Sequence, residues 1–180
     1  MPALSLPRLT ALLLAVLLAQ GCAPFRPGLP SEPVTRAVTH GPGEDIARAA
    51  LAQVGAPYRY GGAGPSTGFD CSGLVSYAHA QEGISVPRTA AAQFAAARKL
   101  DERDLRPGDL VFFRLEPGSR DVTHVGIYTG QRRFVHAPQA GRRVGEASLD
   151  DPFYREHFAG SGRFYRPDQE TGPPLRSSPQ

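Results

Sequence analysis

The order of the secondary-structure signals constrains the fold of this chain most strongly. We predict three helices in the first part of its central region, over residues 44–54, 72–81 and 89–98. Four predicted strands follow these helices, over residues 109–114, 122–129, 133–137 and 142–146. Helices that precede a run of strands favour an α+β domain with a mostly antiparallel sheet over alternating β-α-β units.

The N-terminus has the features of an export signal. Arg8 is followed by an uncharged apolar run over residues 11–19, and Gln20-Gly21-Cys22 comes next. A helix of this length rises only about 14 Å, which is too short for the roughly 30 Å hydrocarbon core of a bilayer. We therefore interpret residues 1–21 as a signal peptide and expect the protein to be exported.

Cys22 directly follows a small residue at the end of the apolar run, and this arrangement resembles the lipobox of bacterial lipoproteins. The resemblance implies that Cys22 is acylated, becomes the mature N-terminus and anchors the protein in a membrane. Ala23, where an Asp would favour the inner membrane, implies the outer membrane with the protein facing the periplasm. The alternative is ordinary secretion, which would leave a free thiol at Cys22.

The mature chain divides into three segments of different composition. Residues 22–43 are rich in proline and glycine without apolar periodicity, which predicts an extended tether. Residues 44–166 form one predicted domain, long enough to bury a modest core. Residues 167–180 are polar and contain four prolines, and we predict that they are disordered.

The charge pattern argues against a nucleic-acid partner. Twenty basic and 17 acidic residues give a formal net charge of only +3, without a dense basic stripe. Four arginines lie close together in the sequence, at positions 132, 133, 142 and 143. They form either a solvated face of a surface hairpin or a site that attracts an acidic polymer.

Cys71 is the residue that first suggests catalysis. The chain has two cysteines, and acylation of Cys22 would leave Cys71 as an unpaired thiol in an oxidising compartment. Cys71 lies at the start of a predicted helix, where free N–H groups and the helix dipole are expected to lower the pKa of the thiol. The alternative is a small apolar residue of the core.

Two histidines are placed where they could assist this thiol. His124 and His136 lie on predicted strands that flank a turn at residues 129–131, so a hairpin would bring them together. One imidazole would then act as the base while the other orients it. Cys71, His124 and His136 could instead bind zinc, but the usual ligand spacings are absent from the sequence, and we expect no metal and no other cofactor.

Six ordered sequence blocks resemble the NlpC/P60 family of cell-wall cysteine peptidases and cover essentially the whole predicted domain. The blocks are Tyr58-Arg59-Tyr60-Gly61-Gly62, Asp70-Cys71-Ser72-Gly73, Pro87-Arg88-Thr89 with Gln93, Arg106-Pro107-Gly108-Asp109-Leu110-Val111-Phe112-Phe113, His124-Val125-Gly126-Ile127-Tyr128 and Phe134-Val135-His136-Ala137. The resemblance implies a papain-like α+β fold in which the helical part carries Cys71 and the sheet carries both histidines.

The resemblance also implies roles for individual residues. Cys71 is implied to be the nucleophile, His124 the base and then the acid, and His136 the orienting residue. Tyr58 either donates a hydrogen bond to the developing oxyanion or only packs beside the glycines that follow it.

Two further residues of these blocks have structural alternatives. Asp70 either caps the helix of Cys71 or binds substrate, and the cap is the preferred interpretation. Arg88 either pairs with a substrate carboxylate or forms a structural bond.

The function that the resemblance implies is a peptidoglycan endopeptidase that cuts stem peptides, commonly at bonds involving D-amino acids and diaminopimelate. Two alternatives stay open. One is a non-catalytic lipoprotein that binds peptidoglycan or recruits another hydrolase, and the other is an amidase on the same fold. The sequence identifies no regulatory protein partner.

Overall fold

The computed structural model describes residues 40–116 and 118–166. The predicted signal peptide, Cys22, the tail over 167–180 and most of the predicted tether lie outside these residues. Among the described residues, no helix is long and apolar enough to cross a membrane.

Three helices precede most of the sheet, as predicted, with shifted ends. Helix α1 spans Pro42–Leu51, α2 spans Cys71–Ala80 and α3 spans Ala90–Ala96. Pro42 suits the first turn of α1, where a missing N–H costs no hydrogen bond. The side chains of Asp70 and Thr89 cap α2 and α3 by accepting backbone hydrogen bonds.

The predicted antiparallel sheet is present and has six strands, in the order β3-β8-β4-β5-β6-β7. The strands are β3 (Arg98–Leu100), β4 (Leu110–Phe113), β5 (His124–Gly130), β6 (Arg133–His136), β7 (Gly145–Ser148) and β8 (Phe158–Arg163). Every pair of neighbouring strands is antiparallel. A separate short hairpin, β1 (Ala63–Gly64) with β2 (Gly68–Phe69), directly precedes α2.

The third helix and the last predicted strand require correction. The prediction of helix over 89–98 is wrong at its end, because α3 stops at Ala96 and Arg98 already pairs with Arg163 in the sheet. The strand predicted over 142–146 lies instead at Gly145–Ser148, since the preceding residues form the loop that reaches Tyr58.

Both faces of the sheet are covered, which gives the domain two apolar clusters. Leu110 and Phe112 of β4 face the cluster that includes α1 and α2, whereas Val111 and Phe113 face a smaller cluster on the other side. All four side chains are fully buried, so β4 shows no alternation of apolar and polar residues. The smaller cluster is completed by helix α4 (Pro152–His157), which contributes Tyr154.

Candidate active site

Cys71 is the first residue of α2, and Asp70 fixes the start of this helix. The Asp70 carboxylate accepts hydrogen bonds from the backbone N–H of Gly73 at 2.7 Å and of Gly61 at 2.8 Å. The cap predicted for Asp70 is therefore confirmed.

Gly73 of α2 lies directly against the backbone of Gly62, and a Cβ at Gly73 would collide with the carbonyl group of Gly62. The same Gly62 carbonyl accepts a hydrogen bond from the N–H of Asp70. The glycine-rich block and the cysteine block of the sequence therefore form one local structure.

Arg88 completes a charged network on the helical side of Cys71. Its guanidinium forms two hydrogen bonds with the Asp70 carboxylate, at 3.0 and 2.6 Å, and a third with the Ser72 hydroxyl at 2.9 Å. Burial opposes ionisation of Asp70 and is the largest single influence, but the bonds from Arg88, Gly73 and Gly61 outweigh it and lower the pKa of Asp70. The structural bond considered for Arg88 is present.

The structure does not bear out the lowered pKa that was expected for the Cys71 thiol. Burial and the negative charge of Asp70 raise the pKa of the Cys71 thiol, although the backbone N–H groups of Val125, Ser72 and Cys71 itself act in the opposite direction. The helix start was expected to lower this pKa, but desolvation and the adjacent carboxylate prevail. The resting side chain is consequently a thiol that needs a base.

His124 and His136 lie together on the sheet, as the hairpin predicts. Ile127 of β5 pairs with Val135 of β6, which places His136 diagonally across from His124 on one face. The turn between the strands contains Gln131 and Arg132, both with positive φ, as in a tight two-residue hairpin. His124 Nε2 and His136 Nδ1 are 2.7 Å apart.

Both imidazoles are buried and uncharged at neutral pH. Burial, together with repulsion from His136, lowers the pKa of His124 to about 3, and burial lowers the pKa of His136 to about 4. Aromatic rings surround the pair, with Phe113 against His124 and Phe134 against His136. This setting favours neutral imidazole, the form that accepts a proton.

The contact between the histidines indicates which ring nitrogen of each one carries a hydrogen. Nε2 of His124 is occupied by His136, so Nδ1 is the ring nitrogen left to accept a proton. Among the described residues, the Cys71 thiol makes no hydrogen bond with either histidine and lies instead against the backbone N–H of Val125, the residue after His124. To accept a proton at Nδ1, neutral His124 must carry its hydrogen on Nε2 and donate it to His136 Nδ1. The hydrogen of His136 then lies on its own Nε2.

Tyr154 of α4 adds a third side chain to the contact between His124 and His136, and the sequence analysis missed it. Its hydroxyl oxygen lies 3.4 Å from His136 Nε2, and its ring packs edge-on against the imidazole. Burial, followed by the charge of Asp151, raises the pKa of Tyr154, while Arg142 opposes this shift. No helix was predicted over these residues, so no sequence signal pointed to this tyrosine.

Tyr58 lines the same cleft as Cys71. Burial and the nearby ionisable groups of Cys71, Asp70 and Tyr60 raise the pKa of its phenol, which therefore keeps its hydrogen. Within the described residues the phenol has no hydrogen-bond partner. It is available as a donor in the cleft of Cys71, although its ring also packs against the apolar core.

Two cavities open on the two sides of the site. The first encloses about 530 Å³ and is lined by Tyr58, Asp70, Cys71 and Arg88. The second encloses about 670 Å³ and is lined by His124, His136, Arg142 and Tyr154, among others. Across residues 40–116 and 118–166, no three His, Cys, Asp or Glu side chains are grouped so that they could hold a metal ion.

Comparison with known proteins gives one consistent result. Residues 55–163 match the NlpC/P60 family. The chain is 41% identical over 120 residues to the bifunctional muramidase/DL-endopeptidase CwlT of Bacillus subtilis, covering 67% of this chain and 36% of that protein. It is 40% identical over 120 residues to the murein DD-endopeptidase MepH of Escherichia coli, covering 65% and 44%. The chain therefore spans less than half the length of either relative.

Solved structures agree with the family match. An NlpC/P60 family protein from Bacillus cereus superposes with a TM-score of 0.64 at 33% identity, covering 70% of this chain and 41% of that one. The NlpC/P60 domain of the peptidoglycan hydrolase SagA gives a TM-score of 0.57 at 32% identity, covering 67% and 97%. The papain-like α+β fold is thus confirmed, and the chain belongs to the NlpC/P60 family.

Proposed function

We propose that this protein is a cysteine peptidase that hydrolyses amide bonds in the stem peptides of peptidoglycan. The observation that carries the proposal is the 2.7 Å contact between His124 and His136. This contact fixes a neutral base whose free nitrogen serves the thiol at the start of α2. Relatives named as DL- and DD-endopeptidases support the substrate class.

The first chemical step follows from the protonation states of the site. His124 Nδ1 takes the proton of Cys71 as Sγ attacks the carbonyl carbon, because the raised pKa of the thiol leaves little thiolate at rest. The backbone N–H of Cys71 and the phenol of Tyr58 are the donors proposed for the oxyanion. His136 Nδ1 accepts a hydrogen bond from the Nε2–H of His124 and so stabilises the imidazolium that forms on His124.

The second half of the reaction uses the same base. Protonated His124 gives its proton to the leaving amine, so the C–N bond breaks and a thioester on Cys71 remains. A water molecule, deprotonated by His124, then attacks the thioester and releases the acid product and the free thiol.

We test the activity by incubating the full mature protein and its Cys71→Ala variant with purified peptidoglycan, and by identifying the products by liquid chromatography and mass spectrometry. We expect new fragments from the unmodified protein alone, and their masses name the bond. Fragments cut between sugar and peptide would indicate the amidase. Binding by both proteins without fragments would instead favour the non-catalytic lipoprotein.

We further propose that the protein is exported and held by a lipid on Cys22, with the domain facing the periplasm from the outer membrane. The apolar run over 11–19 and the Gly21-Cys22 sequence support this proposal. Mass spectrometry of the mature N-terminus tests it: an acylated Cys22 is the expected result. An unmodified thiol at Cys22 would indicate ordinary secretion.

A further inference from the structure

The structure distinguishes among the four arginines that cluster in the sequence. Arg132 pairs with Glu102 at 2.9 Å, and Arg133 pairs with Glu146 at 3.0 Å. Arg143 donates to the backbone carbonyl of Gly55 at 2.7 Å. Among the described residues, the guanidinium of Arg142 has neither an ion-pair partner nor a hydrogen-bond acceptor.

The backbone of Arg142 is held in place beside the active site. Its carbonyl accepts a hydrogen bond from the N–H of Tyr58, at 3.0 Å, and its N–H donates to the carbonyl of Gln139, at 3.1 Å. The loop that carries Arg142 is thereby fastened to the segment that carries the proposed oxyanion donor.

The side chain of Arg142 lines the cavity on the histidine side, together with His124, His136 and Tyr154. Its positive charge acts on the Tyr154 phenol, which itself contacts His136. Glu146 also lines this cavity, but Arg133 already binds its carboxylate. Arg143 also lines this cavity, but its guanidinium is held by the Gly55 carbonyl. Arg142 therefore gives the cavity a positive charge that is neither paired nor hydrogen-bonded among the described residues, close to the histidine pair.

The direction of the reaction determines which part of the substrate enters this cavity. His124 must reach the leaving amine to protonate it, so the residue on the amine side of the bond lies on the histidine side of the site. The acyl side then occupies the cleft of Cys71, where Arg88 is already engaged by Asp70. Arg142 thus faces the amine-side residue.

We propose that Arg142 binds a free carboxylate on the residue that supplies the leaving amine. This inference rests on the proposed peptidase function and specifies its substrate: the amine-side residue carries a carboxylate, as an amino acid with a free acid group does. An arginine matches a carboxylate with two parallel hydrogen bonds, and the half-enclosed cavity strengthens such a charged pair.

The kinetic test compares two substrates that differ in one group. The first is the shortest peptidoglycan fragment that the enzyme cleaves, and the second is the same fragment with the carboxylate of its amine-side residue amidated. We measure kcat/KM for both with the unmodified protein, Arg142→Gln and Arg142→Lys. Arg98→Gln is the matched control, because Arg98 is exposed on β3, at the opposite edge of the sheet from β7.

We expect Arg142→Gln to reduce the preference for the carboxylate over the amidated substrate by about tenfold or more, the usual range for a charged hydrogen bond. Arg142→Lys should restore part of this preference, because lysine keeps the charge without the two-pronged geometry. Arg98→Gln should retain the full preference. An unchanged preference in Arg142→Gln would overturn the subsite while leaving the peptidase function in place.

A binding experiment separates failure of the subsite from failure of the proposed function. Calorimetry compares Cys71→Ala with Cys71→Ala/Arg142→Gln, using L-alanyl-γ-D-glutamyl-diaminopimelate and its amidated form as probes. If the unmodified protein cleaves nothing but Arg142 still confers a preference for the carboxylate, the subsite stands and the peptidase function falls. If neither turnover nor such a preference is observed, both proposals are overturned.

Discussion

The two sides of the site differ in whether their side chains are ionised. On the helical side, Asp70 and Arg88 are ionised and bound to each other, to Ser72 and to backbone N–H groups. On the strand side, His124 and His136 are uncharged, buried among aromatic rings and bonded to each other. The helical side thus resembles a structural support, while the strand side is set up to move a proton.

Cys71 lies between these two regions, and they act on the pKa of its thiol in opposite directions. The Asp70 carboxylate disfavours the thiolate, whereas the backbone N–H of Val125, next to His124 on β5, favours it. In the proposed mechanism, reactivity at neutral pH depends on proton transfer to His124 during attack. Mutations on the strand side should therefore reduce turnover, and those on the helical side should reduce stability.

The largest effect is expected from His124→Gln. Glutamine retains a donor for His136 but cannot accept and return the proton, so kcat/KM should fall by about a thousandfold, within the usual contribution of general acid–base catalysis. We measure kcat/KM on a peptidoglycan fragment together with the urea unfolding midpoint, which should change little. His40→Gln is the matched control at an exposed histidine. Turnover near that of the unmodified protein would contradict the role of His124.

A smaller effect, mainly on stability, is expected from Asp70→Asn. Asparagine preserves the size of the side chain and its capping oxygen but removes the charge that binds Arg88. Because Arg88 is partly exposed, we expect a loss of about 1–2 kcal/mol in the free energy of unfolding, measured by urea denaturation.

Asp70→Asn should also make the Cys71 thiol easier to ionise, although it makes the protein less stable. Without the carboxylate the pKa of Cys71 should fall, so the pH profile of its alkylation by iodoacetamide should move to lower pH. Arg103→Gln, which disrupts a fully exposed ion pair, serves as the control for stability. A stable Asp70→Asn protein with an unshifted alkylation profile would refute the structural role of the helical side.

Local sequence was sufficient to predict the parts of the site that lie on continuous segments. The acidic residue before the predicted helix indicated the cap of α2, and the predicted hairpin around a short turn brought His124 and His136 together; the structure adds that they share one face of the sheet. In both cases, the contact joins residues that one helix start or one hairpin brings together. The general α+β order followed from the same local patterns.

The features that the sequence did not reveal depend on distant segments. Strand β8 contains Gly160 and Gly162, which have weak strand preference, yet it pairs with β3 and β4 inside the sheet, where its last residue Arg163 binds Asp109 at 2.6 Å. Tyr154 is carried by α4, which immediately precedes that strand. The raised pKa of Cys71 likewise depends on burial, which the position at a helix start does not indicate.

The third effect concerns acid stability, for which His79 provides an internal comparison with the histidine pair. His79 is fully buried in α2, its Nδ1 contacts the Val75 carbonyl at 2.9 Å, and its Nε2 has no partner among the described residues. Burial lowers the pKa of His79 to about 4, as it lowers those of His124 and His136. Below about pH 6.5, the unfolded chain therefore binds protons that the folded protein does not.

The free energy of unfolding should accordingly decrease as the pH falls from about 6.5 towards 4, by up to about 1.4 kcal/mol per pH unit for each of these histidines. His79→Leu removes one of these histidines. The free energy of unfolding, measured by urea unfolding between pH 7 and about 5, should then decrease less steeply, by up to about 1.4 kcal/mol per pH unit. Because His124 itself stays neutral in this range, acid should abolish turnover through unfolding, and His79→Leu should remain active at lower pH than the unmodified protein. Activity lost with an apparent pKa near 6.5 while the protein stays folded would contradict the neutral histidine pair.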